Sequence, residues 1–569
     1  MSKITIPRPE HPRPQFERQS WANLNGQWTF RFDFGKSGLD RKWHQSQGFD
    51  DQITVPFCPE SKLSGVAHTD FIEAMWYHRK LDVPAAWLGM KILLHFGAVD
   101  YEAEIFVDGV SAGAHWGGSS SFVVDITKLA VPGTSHNLVV QVKDVLRGGG
   151  QTGGKQCMAA ESQGCSYTRV TGIWQTVWME AVAPAGLKCC KIIPAFDSGS
   201  FVFVPEFHAL AAGATLEVAI AGEKPVNVPA VDGVPVVVKL AQPKPWAPGS
   251  PHLYAIEYKV KDKAGKVVDT VKSYAGLRKI HREGDRLFLN NQPLYSRLVL
   301  DQGFYSDGVW TAPTDAALKH DIELSLRAGF NGARLHQKVF EERFHYWADQ
   351  LGYLTWGESA SWGMARWNDA CCRNFLPEWA EVVERDLNHP SIVAWTPFNE
   401  TAHPNDLRQH RRFVIDTYEL TKRLDPTRPV NDTSGYSHAK TDLYTVHNYA
   451  QPDGLTKDFG GGAHWRNFPD EDVAYDGQPY LVDEFGGIKW APDAKGNSWG
   501  YGDAPKTLEE FYSRLEAEVD ALLACPQICG YCYTQLTDVE QEQNGIYNYD
   551  RSEKFDMRRI AAIFGKEPQ

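Results

Sequence analysis

The period of the apolar residues changes near position 277, and that change limits what the chain can fold into. Before it, short runs alternate apolar with polar residues, the period-two pattern of half-buried strands. WTFRFDF (28–34), YEAEIFVDG (101–109), SFVVDI (121–126) and NLVVQVKD (137–144) read this way, and Asp108-Gly109 is a hairpin-turn signal. After it, amphipathic helices alternate with short apolar strands, the texture of a parallel sheet wrapped by helices. Helices are predicted over 314–330, 340–353, 376–390, 406–426 and 507–525. Strands are predicted over 330–336, 353–358, 391–400 and 528–536, with shorter ones at RPVND, LYTVHNY and PYLVDEFGG. About eight such units match a (β/α)8 barrel.

With 569 residues the chain is too long for one core, and roughly 150 residues per domain predicts three or four domains. Residues 1–185 read as one all-β domain. Residues 186–276 carry about seven further strands, which suits an immunoglobulin-like β-sandwich without the Cys…Trp…Cys signature. Residues 277–569 hold the barrel pattern. One stretch interrupts the first domain: RGGGQTGGKQ (147–156) is too polar for a core and is predicted to be a long, mobile loop. Such loops on rigid β scaffolds often carry function.

Composition narrows the partners. The balance of 58 basic and 71 acidic residues gives −13, which repels phosphate backbones and gains nothing at an anionic membrane. No apolar run approaches the roughly 18–20 residues of a membrane span. MSKITIPRPE lacks an apolar signal-peptide core, and ten cysteines are too few for a disulfide framework, so a reduced, cytoplasmic protein is expected. Cys525, Cys529 and Cys532 flank an apolar run and read as small buried hydrophobes rather than zinc ligands. The 19 tryptophans and 12% aromatic residues suit stacking on sugar rings, and equally the cores of large β-sandwiches.

Barrel enzymes place their chemistry at the C-terminal ends of the strands. The polar residues there are Asp301 and Gln302, Arg334 and His336, Glu358, Asn399 and Glu400, His447 and Tyr449, Asp483 and Glu484, and Gln535 with Asp538. Glu400 and Glu484 close especially apolar strands. Two carboxylates facing each other across a barrel mouth are what glycosidic cleavage needs: one protonated to donate to the leaving oxygen, one ionised to attack the anomeric carbon. Any one of these residues alone fits a structural ion pair or a satisfied interior group. The set, spread over seven strand ends in barrel order, points to chemistry.

Longer stretches carry a resemblance. WANLNGQWTF (21–30), MWYHRKLDVP (75–84) and TGIWQTVWME (171–180) resemble the sugar-binding jelly-roll domain of glycoside hydrolase family 2, which includes β-galactosidases, β-glucuronidases and β-mannosidases. AGLRKI with LFLNNQPLYSR (275–297) is similar to the family's sandwich-to-barrel junction, RDLNHPSIVAWTPFNE (385–400) to its acid/base signature, and GYCYTQLTDVEQEQNG (530–545) to its eighth strand. The resemblance spans nearly the whole chain. It implies a jelly-roll domain, an immunoglobulin-like sandwich and a (β/α)8 TIM barrel. It also implies Glu400 as general acid/base, Asn399 as the donor to the sugar 2-hydroxyl, and Glu484 as nucleophile. Tyr449 and Arg334 would support the nucleophile with His447 nearby, and the two carboxyls of such a retaining enzyme should lie about 5–5.5 Å apart.

The sequence also departs from the family. Arg334-Leu-His336-Gln-Lys-Val replaces the usual Arg-x-x-His-Tyr-Pro, and Asp301-Gln302 stands where Arg-His is common. The uronate-binding Asn-x-Lys does not follow Glu484, whose nearest following cation is Lys489; SASWG (359–363) lacks the magnesium-binding acid of the large β-galactosidases. No cofactor and no metal are therefore expected. The expected activity is a retaining exo-glycosidase acting on a terminal neutral sugar of a glycoside or oligosaccharide, of β-galactosidase type. The alternatives are an α-L-arabinofuranosidase or β-galactofuranosidase, a β-glucuronidase or β-mannosidase, and, in another class, a non-catalytic carbohydrate-binding protein. Homo-oligomerisation is left open. Were uronides cleaved instead, Lys338 or Arg366 would be the cations to suspect.

Overall fold

The computed structural model describes residues 6–365, 368–402, 406–494 and 496–568. Arg366 lies outside them. The threefold architecture expected from the sequence is present. The N-terminal domain holds a pair of antiparallel sheets that face each other. One orders Trp21–Asn23, Val177–Val182, Lys91–Phe96 and Phe122–Asp125; the other orders Asp51–Val55, Gly26–Phe32, Ala74–Asp82, Ser135–Lys143, Glu102–Val107 and Val110–Trp116. Alternate residues of each strand, among them Trp28, Phe30, Ile53, Leu94, Phe96 and Ile105, meet in the core between the sheets. Asp108 (φ 48°) and Gly109 (φ 79°) both take the left-handed conformation that a tight hairpin requires, joining Glu102–Val107 to Val110–Trp116.

The middle domain is a seven-stranded sandwich. Leu187–Ala195, Ser200–Phe207 and Val236–Lys239 pack on Val226–Pro229, Thr215–Ile220, Leu253–Lys261 and Val267–Gly276. Phe203, Leu216, Val218 and Tyr258 fill the space between.

The C-terminal domain is the barrel. Its strands 1 to 4 are Ser296–Asp301, Gly332–Leu335, Leu354–Glu358 and Ile392–Thr396; strands 6 to 8 are Tyr444–His447, Tyr480–Gly486 and Ile528–Thr534. These seven form one parallel sheet, with strand 1 paired to strand 8. The gap between strands 4 and 6 is spanned by the short fifth strand, Thr433–Ser434, which pairs in parallel with Phe398–Asn399. The fifth strand thus falls just after the predicted RPVND, whose Val430 contributes only an isolated bridge to Trp395. Every residue of strands 2, 3, 4, 6, 7 and 8 is buried. That explains their continuous apolar reading, since parallel strands are covered on both faces.

Three features differ from the sequence reading. The third helix spans Asp369–Asp386 rather than starting at 376, with Asn368 capping it through Ala370 N–H. Pro377 reads as a first-turn residue, where its missing N–H costs nothing, yet it stands well inside the helix. Helices Pro452–Phe459 and Met557–Phe564 were not anticipated. The glycine-rich stretch is not a mobile loop. Residues 151–157 are buried against the barrel mouth, with Gly153 N–H donating to Trp362 O (2.8 Å) and Gly154 N–H to Ala360 O (3.0 Å). Gly154 has φ +55°, and a Cβ there would lie 2.3 Å from Gln337 O. The glycines thus serve close backbone approach rather than freedom.

Candidate active site

The centre of the barrel mouth is built on Arg334, on strand 2, which has no solvent exposure. Its guanidinium reaches five neighbours. Nη2 donates to Glu484 Oε1, to Asn399 Oδ1 (3.2 Å) and to His336 Nδ1 (2.9 Å), and Nη1 donates to Asp483 Oδ2 (3.4 Å). Nε lies 3.5 Å from Glu358 Oε2. Burial works against this charge, but Glu358, Glu484 and Asp483 outweigh it and raise the Arg334 pKa. The other oxygen of Glu484 accepts from the Tyr449 hydroxyl. Tyr449 is held flat by Tyr501, whose ring centroid is 3.5 Å away. Both oxygens of Glu484 are therefore oriented by fixed donors.

Glu400 follows the Phe398–Asn399 extension of strand 4 and has φ 44°, a left-handed conformation costing on the order of 1–3 kcal/mol in a non-glycine residue. Its N–H donates to Ser434 O (2.9 Å), which ties the strained position to strand 5. His447 joins the two glutamates: Nδ1 is 2.9 Å from Glu400 Oε1 and 3.3 Å from Glu484 Oε2. Its Nε2 lies 2.9 Å from Ser434 Oγ and 3.4 Å from Asp483 Oδ1. Burial alone would lower its pKa; Glu484, Asp483 and Glu400 reverse that and raise it. One carboxylate oxygen of Glu400 and one of Glu484 lie within 4.8 Å of each other.

Asn399 spends its side-chain oxygen on Arg334 and leaves its buried Nδ2 without a protein partner among the described residues. That is a donor waiting in the mouth. Glu358 is fully buried, accepts Gln337 N–H (3.0 Å) and lies 3.0 Å from His336 Nδ1. Burial pushes its pKa up to about 7 against the pull of Arg334. Burial, with Lys155 and Arg334 as neighbours, holds His336 well below the usual imidazole range.

The remaining predicted residues sit elsewhere around the ring. Asp301 accepts Gly303 N–H (2.9 Å); burial and Asp321 push its pKa up to about 6, with Arg551 and Lys338 opposing them. Its contacts serve the wall beside strand 1, not the two glutamates. Gln302 is buried, with its side-chain oxygen unpartnered among the described residues. Gln535 donates to Asn544 Oδ1 (2.8 Å), Asn544 donates to Glu542 Oε1 (3.1 Å), and Glu542 accepts from the Tyr167 hydroxyl. Asp538 pairs with Lys554 (2.8 Å).

Several residues at the mouth were missed from sequence. Trp362 follows strand 3 and donates Nε1–H to Asn399 O (3.2 Å). Tyr436 follows strand 5, and burial and Glu400 together raise its phenol pKa. Lys155 comes from the glycine-rich stretch of the first domain, is 6% exposed, and holds its ammonium 4.2 Å from the centre of the Trp362 ring. The only hint of it in sequence was an unexplained run of glycines ending in a lysine.

A parallel barrel sheet with two facing glutamates, fixed donors on one and a free amide beside the other defines a glycoside hydrolase. Three family descriptions match: glycosyl hydrolases family 2, sugar binding domain, over residues 21–179; glycosyl hydrolases family 2 over 208–278; and glycosyl hydrolases family 2, TIM barrel domain, over 285–514. The chain belongs to glycosyl hydrolase family 2. It is 24% identical over 439 residues to a β-glucuronidase of Paenibacillus borealis, covering 72% of each chain. It is 25% identical over 380 residues to a β-galactosidase of Thermoanaerobacter pseudethanolicus, covering 63% of this chain and 48% of that one. In fold it is similar to the β-glucuronidase from Ruminococcus gnavus in complex with D-glucuronic acid, with a TM-score of 0.80 at 18% identity, over 98% of this chain and 100% of that one.

Proposed function

We propose that this glycosidase is a retaining exo-enzyme that removes a terminal neutral sugar, of β-galactosidase type. The observation that carries the retaining mechanism is the pair of carboxylate oxygens within 4.8 Å, one on Glu400 and one on Glu484. That separation suits direct attack on the anomeric carbon and leaves too little room for the activated water of an inverting enzyme. Glu484, oriented by Arg334 and Tyr449, attacks and forms the glycosyl-enzyme. Glu400 protonates the departing oxygen, then takes a proton from the water that releases the sugar. Asn399 Nδ2 donates to the sugar 2-hydroxyl.

The names of the relatives favour a rival reading, β-glucuronidase. Against it, the cations that sequence suggested for a uronate and that lie among the described residues are already engaged. Lys489 Nζ donates to Ser498 O (2.5 Å). Lys338 Nζ donates to Gly303 O (2.6 Å) and Trp310 O (2.7 Å), and burial lowers its pKa to about 8. A nitrophenyl panel of galactopyranoside, glucuronide, mannoside, arabinofuranoside and galactofuranoside tests both readings. Neutral glycosides should exceed uronides in kcat/KM by at least about a hundredfold, the scale of one lost charge-assisted contact plus an unpaired anion. Proton NMR of the first-formed anomer should report retention. Equal or faster glucuronide cleavage would overturn the neutral-sugar reading.

A further inference from the structure

The glycine-rich stretch brings one more group to the mouth, and the two-glutamate reading does not use it. Lys155 is buried, and its stem is fixed: Gly153 and Gly154 are bonded to the barrel on one side, and Tyr167 N–H donates to Lys155 O (2.7 Å) on the other. Its ammonium lies over the Trp362 ring and, among the described residues, has neither a hydrogen-bond acceptor nor a carboxylate oxygen within 4.0 Å. The ammonium is not sealed from solvent, so its three N–H groups are open to a ligand that enters there. A cleft of about 600 Å³, lined by Gly154, Gln156, Cys165 and Trp362, opens beside it.

We propose that Lys155 is a substrate-binding residue, donated by the first domain to the barrel's sugar subsite, and that it binds a hydroxyl oxygen of a neutral glycone. The charges around it favour a hydroxyl over a carboxylate. Burial works against the ammonium, yet Cys165, Glu542, Glu484 and Glu400 together raise its pKa and keep it charged. The other nearby cation, Arg334, is spent on Glu484, Asp483 and Glu358. A sugar carboxylate would add a further anion to this set. A hydroxyl accepts from the ammonium and adds no charge.

The inference rests on the glycosidase reading, so its test uses the full-length enzyme and separates the two. Lys155→Met keeps the stem on Trp362 and removes the donor. For the best neutral nitrophenyl glycoside, kcat/KM should fall tenfold to a hundredfold, while thermal denaturation stays within a few degrees of wild type. Lys155→Arg should restore part of the loss. Across monodeoxy analogues of that glycoside, one should be cleaved equally by wild type and Lys155→Met, because it lacks the hydroxyl that Lys155 binds. An active wild type matched by Lys155→Met on every analogue overturns this inference and leaves the glycosidase reading standing. A variant that loses only glucuronide cleavage overturns the neutral-glycone assignment. A wild type inactive on every glycoside overturns both.

Discussion

The barrel strand ends and the glycine-rich segment of the first domain meet at one mouth but are built on opposite rules. At the strand ends the nucleophile is held from both sides: Arg334, which also reaches Asn399, His336 and Asp483, donates to one oxygen of Glu484 and Tyr449 to the other, while Asn399 Nδ2 is left open beside them. Such a network costs little to keep ordered and fixes atoms for chemistry. In the glycine-rich segment the backbone is bonded down, while the side chain it delivers, Lys155, has no acceptor among the described residues. An ammonium left open at the mouth adds little to the structure and is free for recognition. The first domain therefore does more than pack: it supplies recognition to chemistry owned by the barrel.

The sharpest way to break that division is at Glu484. Glu484→Ala should reduce kcat at least about 10⁴-fold on every glycoside, the scale on which removing a covalent nucleophile acts. Azide should then restore turnover as the inverted glycosyl azide. Near-normal activity would remove the chemistry from the barrel half. Next in size is Glu400→Ala. With an alkyl aglycone the loss should be about 10²–10⁴-fold, the range for general acid catalysis. With a dinitrophenyl aglycone, which leaves unprotonated, the first step should be nearly unaffected. An equal loss on both would mean that Glu400 does not donate the proton.

The two halves also differ in how well sequence announces them. Glu400 and Glu484 are visible because a buried parallel strand reads as an apolar run, and the polar residue that ends it stands out. Their partners Arg334, Asn399 and His447 are visible for the same reason. Asp301 ends its strand just as plainly, yet its carboxylate turns to Gly303 N–H and the wall beside strand 1. Strand periodicity locates a backbone position and says nothing of rotamer. Lys155 could not be found this way. It lies in an irregular segment of another domain, and its place over Trp362 depends on contacts between residues about 200 positions apart. The glycines looked like flexibility because a chain without side chains reads the same whether it is loose or tightly packed; the clash of a Gly154 Cβ with Gln337 O decides the matter. Pro377 misplaced a helix start for a similar reason, since tertiary packing keeps helical a stretch that local preference would end.

The barrel half should carry a pH dependence of its own. His438 is buried between strands 5 and 6, with Nδ1 2.6 Å from Asp432 Oδ1 and Nε2 lying 2.9 Å from Thr445 O and 3.1 Å from Thr445 N. Burial opposes its charge, but Asp432 wins and raises its pKa to about 9. The folded protein therefore holds a proton that the unfolded chain releases near pH 6.5. The stability this supplies is fully present below about pH 6.5 and is lost as pH rises through about 9. It amounts to about 3 kcal/mol at most. Tm followed from about pH 6 to about pH 10 should fall across that window, and His438→Gln should flatten the fall. An unchanged slope in the variant would assign the titration to another group.

Smaller still is the effect of unseating the glycine-rich segment. Gly154→Val adds a branched side chain where φ is +55° and Gln337 O is 2.3 Å from the Cβ. The segment must lift, carrying Lys155 from Trp362. The loss in kcat/KM should be at least that of Lys155→Met, about 10–100-fold or 1.4–2.7 kcal/mol. Adding Lys155→Met to Gly154→Val should then cost little more. A fully additive pair would show that the segment's seat and its lysine act independently.

The smallest expected effect is that of chelation. Glu400, His447 and Glu484 bring one ligand atom each within 4.8 Å, a grouping that could hold a divalent ion. The groups around it argue otherwise. Arg334 donates to one oxygen of Glu484 and Tyr449 to the other, and His447 Nδ1 is 2.9 Å from Glu400 Oε1. A dication there would displace a hydrogen bond from each ligand and would face the buried Arg334 guanidinium at close range, where like charges repel strongly. It would also cover the carboxylate that must attack the sugar. Dialysis against EDTA should therefore change kcat/KM on the best glycoside by less than about twofold, a few tenths of a kcal/mol. A larger loss, reversed by magnesium, manganese or zinc, would make these three residues a metal site and remove Glu484 from the role of free nucleophile.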